Sequence, residues 1–479
     1  MGIIEALRYI FGASDNPEMR YIGQQRNSRI RVPLTALRNH GYIIGGTGTG
    51  KSRLLRVLIE QDIAACHGLC VIDPHGDLCE ALTRYVSILP PDHPARQRII
   101  LVDPTAPEWA VGFNPLEVPP GEQIYPHVLE LLTVFRKIWK DAWGARMEDI
   151  MRNSFVTLAE HGLTLLDMPR LLTDPDFRAP LVETLQSIET RGYWLNRFEP
   201  LAARTRAEWI ESTLNKISSF ISDPWIRDMV GQTRSTINVR NWMDSGAITL
   251  INLSKGRLKS NSDLIGALMV SKVQEAAMSR VDLDEGNRRP YRLYVDEFQN
   301  YSTKSFEEIL SEARKYGLSI VMANQNLAQL EKGLMSSVLG NCQLQIYFRC
   351  SRQDSDILAR QAFRATGKNI KFALTKEGMF TKEPKANPVY ESVGEEMEGY
   401  VNFVLDLRPR QALLNIRGEG RPVPFRTADA PDRAAHLGLA EFREQLLARG
   451  ARRRELVRSE VDALNAPEPD LTVDDLWES

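Results

Sequence analysis

Eight consecutive residues near the start of the chain constrain its fold more than any other segment. Gly45-Gly46-Thr47-Gly48-Thr49-Gly50-Lys51-Ser52 matches the phosphate-binding pattern GxxxxGK[ST] at every specified position. Glycines let the backbone curl until several N–H groups converge on phosphate oxygens. In such a loop the lysine reaches the β- and γ-phosphates, and the serine hydroxyl binds Mg²⁺. The segment therefore predicts a site for a nucleoside triphosphate and Mg²⁺.

The flanking sequence supports this interpretation over a chance glycine-rich turn. Residues 41–44 form a short apolar run typical of a buried strand, and residues 52–60 have the pattern of a helix. A helix that begins at the loop points its positive end at the phosphates. Arg53, the second residue of this helix segment, is included among the predicted nucleotide-binding residues.

The acidic partner of the loop is predicted far downstream. Asp296 and Glu297 follow the apolar run at residues 291–295. At the end of a strand, Asp296 can hold the Mg²⁺ water shell beside Ser52, and Glu297 can polarise an attacking water. An adjacent acid pair of this kind favours hydrolysis and motor work over group transfer. The alternative is a solvated helix start, where acids are common.

Two further positions are predicted to complete a hydrolytic site. Gln325 follows the strand-like run at 320–324, where its side chain can sense the γ-phosphate or orient water. Arg314 lies late in a predicted helix and can act as an arginine finger on a neighbour's nucleotide. Alternatively, its positive charge is simply stabilised by the negative end of the helix dipole. Arg349 and Arg352 are alternative candidates for the finger.

The near-balanced charge of the chain excludes nucleic-acid binding that relies on an overall basic surface. The 479 residues include 60 Lys and Arg against 62 Asp and Glu, a net charge of −2. Nucleic-acid binding then requires a local patch or a ring of subunits. The best local patch is a predicted flexible segment with Lys255, Arg257 and Lys259, suited to phosphate contacts. A plain solvated loop is the alternative.

The cysteines and the apolar runs bear on the compartment. Five cysteines include no CxxC pair, and Cys70 lies in an apolar strand pattern where a buried thiol is expected rather than zinc. A reducing, cytoplasmic location follows as an expectation. No apolar run approaches the ~18 residues that cross a bilayer. Residues 1–11 suit a docking helix better than a membrane-surface anchor.

The alternation of apolar runs and helical patterns predicts an α/β protein with a parallel sheet and an inserted all-α domain. Residues 1–40 are predicted to hold a helix and a strand pair, and 41–120 the first part of the ATPase core. Residues 121–240 are the all-α insertion, 241–430 the second part of the core, and 431–479 a C-terminal helix and tail.

The last hundred residues carry more specific expectations. Apolar runs at 401–405 and 411–416 predict a terminal hairpin. The basic stretch at 452–454 is predicted to be a solvated or intersubunit face of a helix. Residues 467–479 contain five acids and no base, which predicts an acidic tail.

Six short motifs together produce a family resemblance. They occur in this order: the phosphate loop at 45–52, IDPHGD at 72–77, FNPL at 113–116, NLSKG at 252–256, YVDEFQ at 294–299 and ARKYG at 313–317. The series resembles the FtsK–HerA superfamily of RecA-like pumping ATPases, and in particular the coupling proteins of conjugation and type IV secretion. The resemblance covers roughly residues 20–430.

The resemblance implies a homo-hexameric ring that hydrolyses ATP with Mg²⁺ at subunit interfaces and threads DNA through a central pore. Lys51, Ser52, Asp296 and Glu297 match the family's nucleotide site, and Gln325 matches its sensor position. Arg314 lies near the family's trans-acting arginine. Membrane-bound coupling proteins begin with transmembrane helices and HerA motors with a β-barrel. This sequence has little room for either before residue 41. No direct membrane span is expected, so a membrane anchor would come from a partner.

Three functional hypotheses result. The first is an ATP-driven DNA translocase. The second is a coupling ATPase that recruits protein or nucleoprotein substrates to a secretion or mobile-element machine, with a nuclease, secretion or membrane protein as partner. The third is an assembly that uses ATP only to switch its oligomeric state. DNA-stimulated hydrolysis would distinguish the first from the others.

Overall fold

The computed structural model describes residues 16–119, 121–302, 306–366, 369–375, 385–434 and 437–464. The predicted N-terminal helix and the acidic tail lie outside these residues. Within the described ranges, no helix combines the length and apolar character needed to span a bilayer.

Fifteen strands are present in the described chain. In chain order they are β1 (Met19–Gln25), β2 (Ser28–Pro33), β3 (Gly41–Ile44), β4 (Gly68–Asp73), β5 (Ile99–Val102), β6 (Trp109–Ala110), β7 (Ile248–Asn252), β8 (Tyr291–Val295), β9 (Leu318–Asn324), β10 (Leu344–Tyr347), β11 (Ile370–Thr375), β12 (Lys385–Tyr390), β13 (Gln411–Ile416), β14 (Val423–Thr427) and β15 (Arg452–Arg453). Eleven of them form one sheet in the order β2-β1-β14-β13-β10-β3-β9-β8-β4-β7-β5.

The central strands are parallel, as the sequence predicted. Strands β10, β3, β9, β8, β4, β7 and β5 pair side by side in the same direction. Most of their residues are buried because helices cover both faces, which is why they read as continuous apolar runs. Cys70 in β4 is a fully buried thiol, as expected, and burial raises its pKa.

Twenty α-helices accompany the strands. They are α1 (Leu34–Arg38), α2 (Lys51–Ala64), α3 (Asp77–Ser87), α4 (Pro94–Arg98), α5 (Ile124–Ile138), α6 (Ala145–Glu160), α7 (Met168–Thr173), α8 (Pro175–Thr184), α9 (Ile188–Tyr193), α10 (Ala203–Ile221), α11 (Pro224–Val230), α12 (Val239–Ser245), α13 (Lys255–Leu258), α14 (Asn261–Met278), α15 (Phe306–Glu312), α16 (Lys332–Asn341), α17 (Arg352–Ala362), α18 (Val393–Leu405), α19 (Leu439–Ala448) and α20 (Arg454–Leu464) in the described chain.

The inserted segment is helical where it is described. Helices α5 to α12 fill the interval between β6 and β7, and no strand occurs among the described residues of that interval. Helix α5 packs against α14 of the core, and both belong to one continuous apolar cluster. The insertion is thus joined to the core by shared apolar packing as well as by its two chain connections.

The two ends of the core meet at one edge of the sheet. Strands β1 and β2 were expected as a separate pair ahead of the core, but β1 pairs antiparallel with β14 and so extends the main sheet. The predicted hairpin between 401–405 and 411–416 is wrong. Residues 401–405 end helix α18, which begins with a capping box in which Ser392 and Glu395 satisfy each other's backbone N–H groups. Strand β13 pairs with β14 instead.

A buried charged cluster joins β1, α2 and β8. The carboxylate of Asp62 is fully buried; it accepts hydrogen bonds from Arg20 Nε at 2.8 Å and Tyr294 Oη at 2.7 Å, and it pairs with Arg292. Burial alone would raise the pKa of Asp62, but the charges of Arg292 and Arg20 outweigh it and lower this pKa to about 2. The cluster therefore holds Asp62 ionised inside the fold.

Residues 437–464, here called the C-terminal arm, return to the core and the insertion. Helix α19 packs on β5, and β15 pairs with β6. The prediction that the stretch at 452–454 is solvated holds for Arg452 and Arg453, which are exposed, and is wrong for Arg454, which is buried. The Arg454 guanidinium pairs with Asp228 of α11 and donates to the carbonyl oxygens of Pro104, Ala106, Pro107 and Trp109.

We expect Arg454→Lys to lower the free energy of unfolding by about 2 kcal/mol. Lysine keeps the charge opposite Asp228 but lacks the planar fork that reaches several carbonyls at once. Chemical denaturation of the purified variant measures the change. Arg204→Lys, at a side chain of α10 that is 92 % exposed, is the matched control and should leave the midpoint unchanged. Equal midpoints for both variants would contradict the role assigned to the buried guanidinium.

Candidate nucleotide site

The phosphate loop connects β3 to α2 at the carboxyl edge of the parallel strands. Gly48 and Gly50 have φ values of 74° and 116°, and Gly50 is the N-cap residue immediately before helix α2. A side chain at Gly45 would place its Cβ only 2.4 Å from Cβ of Phe348, which follows β10. Nothing lies within 4 Å of the position where Gly48 would carry a Cβ. The loop thus has the curled backbone and the open concave side that a triphosphate requires.

Lys51 lies buried beneath this loop. Its Nζ donates hydrogen bonds to the carbonyl oxygens of Gly45 at 2.6 Å and Gly46 at 3.2 Å. Burial lowers the pKa of this lysine, while the carboxylates of Asp296 and Glu297 oppose that shift. The ammonium group is therefore held at the loop by its own carbonyls and by two nearby anions.

Ser52 and Asp296 form the oxygen pair that a hard cation would need. The Ser52 Oγ donates to Oδ2 of Asp296 at 2.7 Å, although the two residues are 244 positions apart. Asp296 is 7 % exposed, and burial, with the charge of Glu297, raises the pKa of its carboxyl group. A hydroxyl and a desolvated carboxylate side by side fit Mg²⁺, because that ion binds oxygen ligands and would compensate the buried negative charge.

Glu297 is held in place by two amide side chains. Its own φ is 50°, a left-handed value that is strained for a residue with a Cβ. Gln325 Nε2 donates to Glu297 Oε1 at 2.8 Å, and Gln299 Nε2 donates to Oε2 at 2.6 Å. The Thr47 hydroxyl donates to Oε1 of Gln325 at 3.3 Å and so connects this group to the phosphate loop. The arrangement orients a carboxylate beside the predicted phosphate position.

The residues of this site lie in two segments of the chain, and each segment matches a known protein family. The family described as "Helicase HerA, central domain" matches residues 20–269, which is more than half of the chain and includes the phosphate loop. This chain belongs to the HerA helicase family. A second family, described as "TraM recognition site of TraD and TraG", matches residues 290–362 and contains Asp296, Glu297 and Gln325.

Known proteins agree with this assignment. The DNA double-strand break repair helicase HerA of Sulfolobus acidocaldarius is 22 % identical over 360 residues, covering 71 % of this chain and 61 % of that protein. The match therefore spans about three-fifths of the length of its curated relative. The bacterial conjugative coupling protein TrwB shares the fold at 16 % identity, with a TM-score of 0.58 over 89 % of this chain and 92 % of that one. VirB4 of Thermoanaerobacter pseudethanolicus gives a TM-score of 0.53 at 11 % identity, over 87 % of this chain and 98 % of its own.

In this HerA family member the three candidate finger arginines lie at two different edges of the sheet. Arg349 follows β10 at the edge of the phosphate loop, and its carbonyl accepts the Gly46 N–H at 2.9 Å. Arg352, three residues on, is tied to Glu398 by an ion pair at 2.5 Å. Arg314 is exposed and precedes β9, so it lies at the amino edge, on the far side of the sheet from the loop.

The predicted DNA segment is more ordered than expected. Residues 255–258 form the one-turn helix α13 rather than a flexible loop. Lys255 pairs with Asp263 at 2.9 Å, and Arg257 donates to the Thr105 carbonyl at 3.1 Å. Lys259 remains exposed, with a φ of 52°. A role in DNA binding stays a prediction for these three cations.

The segment around β14 contributes contacts that sequence reasoning missed. Arg53, predicted to bind nucleotide, faces Asp429 at 3.3 Å and Asp432 at 3.4 Å. Asp429 also pairs with Arg410, whose backbone N–H donates to the Thr49 carbonyl at 2.8 Å. Gln299 was likewise missed, although it lies inside the YVDEFQ motif. For Arg410 no local signal exists, since its position depends on strand pairing across most of the chain.

Proposed function

We propose that this chain is an ATP-driven DNA translocase that hydrolyses Mg-ATP at the subunit interfaces of a ring. The observation that carries the proposal is the pairing of Ser52 with Asp296 beside a Glu297 carboxylate oriented by two glutamines. Such a carboxylate suits a water-activating base, so the site is better built for hydrolysis than for simple nucleotide binding. Membership of the HerA helicase family supports DNA as the substrate in this proposal.

Each residue has a distinct task in this proposal. Lys51 and the loop N–H groups would hold the phosphates, and Ser52 with Asp296 would hold Mg²⁺. The bound ion neutralises charge that develops on the phosphate oxygens during transfer. Glu297 accepts a proton from the attacking water, and Gln325 fixes the position of Glu297 relative to the phosphate loop. Similar TrwB structures are described in complex with an ATP analogue and with ADP and Mg²⁺.

The ring is supported by the position of Arg314. Because this arginine lies at the edge opposite the chain's own loop, it would act on the nucleotide of a neighbouring subunit, as an arginine finger does. A homo-hexamer with DNA in a central pore is the assembly we propose. Lys255, Arg257 and Lys259 are candidates for the pore lining.

A second function is favoured by one specific observation. Residues 290–362 match the "TraM recognition site of TraD and TraG", and the fold is that of a conjugative coupling protein. A coupling ATPase would recruit a protein or nucleoprotein through its inserted helices or acidic tail. Its partner would be a nuclease, secretion or membrane protein. In that case hydrolysis would respond to the protein partner more than to DNA.

The test is steady-state ATP hydrolysis by the purified protein with and without duplex DNA. We expect hydrolysis that requires Mg²⁺ and rises when DNA is added. Lys51→Ala should reduce the rate by about 100-fold, because a buried cation at the developing phosphate charge is lost. Lys140→Ala, an exposed lysine in a 3₁₀ turn after α5, is the matched control. Hydrolysis that is indifferent to every nucleic acid tested would overturn the translocase proposal.

A further inference from the structure

A lysine of the inserted segment contacts the turn that follows Glu297. Lys137, in the last turn of α5, donates hydrogen bonds from Nζ to the carbonyl oxygens of Gln299 at 3.3 Å and Asn300 at 3.1 Å. Both acceptors belong to the 3₁₀ turn at Phe298–Asn300. A side chain of the insertion thus reaches the segment that carries the proposed general base, although Lys137 and Gln299 are 162 positions apart.

The ammonium group of Lys137 is committed to this turn rather than to an anion. Among the described residues it makes no ion pair, whereas its neighbour Arg136 pairs with Glu148 at 2.6 Å. Burial lowers the pKa of Lys137 to about 8, although the charges of Asp263 and Glu331 act in the opposite direction. A desolvated ammonium group is unfavourable unless hydrogen bonds compensate it. Because two backbone carbonyls provide that compensation here, the position of the lysine and that of the turn depend on each other.

The turn determines where the Glu297 carboxylate points. Glu297 caps it at a φ of 50°, and the Glu297 carbonyl accepts the Asn300 N–H at 3.0 Å. Gln299 Nε2 donates to Glu297 Oε2 at 2.6 Å, whereas Gln299 Oε1 is buried and has no hydrogen-bond partner among the described residues. The Gln299 side chain is therefore positioned by Glu297 and by its own backbone, which Lys137 holds. A strained φ persists only where the surrounding structure fixes it, so loss of this anchor would let Glu297 relax.

Helix α5 brings Lys137 to the turn because the same face of the helix is fixed to the core. Positions 127, 130 and 137 lie on one face, since residues three, four and seven apart are neighbours on a helix surface. His127 Nδ1 lies 2.6 Å from Glu275 Oε1, and Glu130 Oε1 accepts a hydrogen bond from Ser271 Oγ at 3.1 Å. Both partners belong to α14 of the core. A movement of α5 along α14 would therefore move Lys137 as well.

We propose that Lys137 is a positioning residue for ATP hydrolysis, which holds the turn that orients Glu297 and makes the rate depend on how α5 docks on the core. The inference rests on the proposed function, for which it identifies how the inserted helices act on the hydrolytic site. Its hydrogen bonds go to the turn and not to the phosphate loop, so loss of Lys137 should lower kcat and spare nucleotide binding. A partner that displaces α5 would lower the rate in the same way.

The test compares steady-state ATP hydrolysis and nucleotide titration for the full chain with Lys137→Met or Lys137→Arg. Methionine keeps the apolar stem of lysine but cannot donate to the carbonyls. We expect Lys137→Met to lower kcat by about 10- to 100-fold and to leave KM and nucleotide affinity within about twofold. Lys137→Arg restores a cation with several donors and should recover most of the rate. Lys140→Met, at an exposed lysine three residues on, is the matched control and should keep the full rate.

A double variant distinguishes action through Glu297 from a separate structural role. In the Glu297→Gln background, Lys137→Met should lower the residual rate by less than about twofold, because effects of residues that act as a unit are not additive. A further fall as large as in the unmodified background would overturn the proposal, since Lys137 would then act by another route. A rise in KM that accounts for the loss of kcat/KM would also overturn it, because Lys137 would then support nucleotide binding.

Hydrogen exchange reports on the contact without requiring hydrolysis. The backbone amides of residues 297–302 should exchange faster in Lys137→Met than in the unmodified protein, and at the unmodified rate in Lys137→Arg and Lys140→Met. Unchanged exchange in Lys137→Met would overturn the proposal. An unmodified protein that hydrolyses no ATP would refute the proposed function, and the exchange rates would still decide whether Lys137 holds the turn.

Discussion

Glu297→Gln is expected to reduce ATP hydrolysis by about 10³-fold while nucleotide binding survives. General-base groups contribute roughly 10²- to 10⁴-fold to rate, and glutamine cannot accept the proton of an attacking water. Glutamine has nearly the same shape and can still hydrogen-bond with Gln325 and Gln299, so the geometry of the site should persist. Phosphate release in the steady state gives the rate, and titration with a labelled nucleotide gives the affinity.

The control for this change is Glu285→Gln, an exposed carboxylate at a 3₁₀ turn ahead of β8. It should retain full activity. A fall in nucleotide affinity as large as the fall in rate would contradict the assignment, because Glu297 would then hold the ligand rather than activate water. Full hydrolysis by Glu297→Gln would show that Glu297 is not the general base. Intact function in a Glu297→Gln variant that no longer hydrolyses ATP would favour the hypothesis of an assembly that uses ATP only as a switch.

Asp62→Ala is expected to lower the free energy of unfolding by about 3–5 kcal/mol. The substitution leaves the Arg20 and Arg292 guanidinium groups buried without their shared counter-charge, and it removes the acceptor of the Tyr294 hydroxyl. Denaturant titration measures the loss. Asp141→Ala, at an exposed acid of the inserted segment, should change the midpoint little. A small effect of Asp62→Ala would mean that water or a local rearrangement compensates the arginines.

The same cluster predicts how stability depends on pH. The folded pKa of Asp62 is about 2, below the ordinary value of 3.8, so the folded state favours the ionised form. Its contribution is fully present above pH 3.8 and is lost as the pH falls from 3.8 towards 2. The free energy of unfolding, measured between pH 5 and pH 2, should therefore change less steeply with pH in Asp62→Asn than in the unmodified protein. Equal slopes would contradict the assignment.

The sequence predicted those parts of the fold that local patterns determine. The loop at 45–52 and the acids at 296–297 each have a self-contained pattern of strand and polar residues, and both were found at the carboxyl edge of the sheet. Residues 401–405 were assigned wrongly because a short apolar run does not distinguish a strand from the end of a capped helix. Arg454 was assigned wrongly because its burial depends on carbonyl groups about 350 positions away.

The same reasoning explains what the sequence missed at the sites. Gln299 lies two residues from its partner Glu297, so a local signal existed but no role was assigned to it. Arg410 meets the phosphate loop only because β13 and β14 join the sheet beside β10. A cavity at the amino edge of the parallel strands is lined by residues from Asn39 to Pro422, which no spacing rule brings together. Pairings that span the chain are set by the sheet topology and cannot be read from neighbouring residues.

The place of β3 in the sheet has a consequence for how the protein is made on the ribosome. Strand β3 ends at Ile44, but the strands on both sides of it, β9 and β10, begin only at Leu318 and Leu344. The apolar strand that carries the phosphate loop therefore leaves the ribosome long before its partners are synthesised. At roughly 5–20 residues per second, it waits about 15–60 s without its final neighbours. During that interval the inserted helices, whose contacts are more local, can fold first, and the nascent β3 is a natural client for a chaperone.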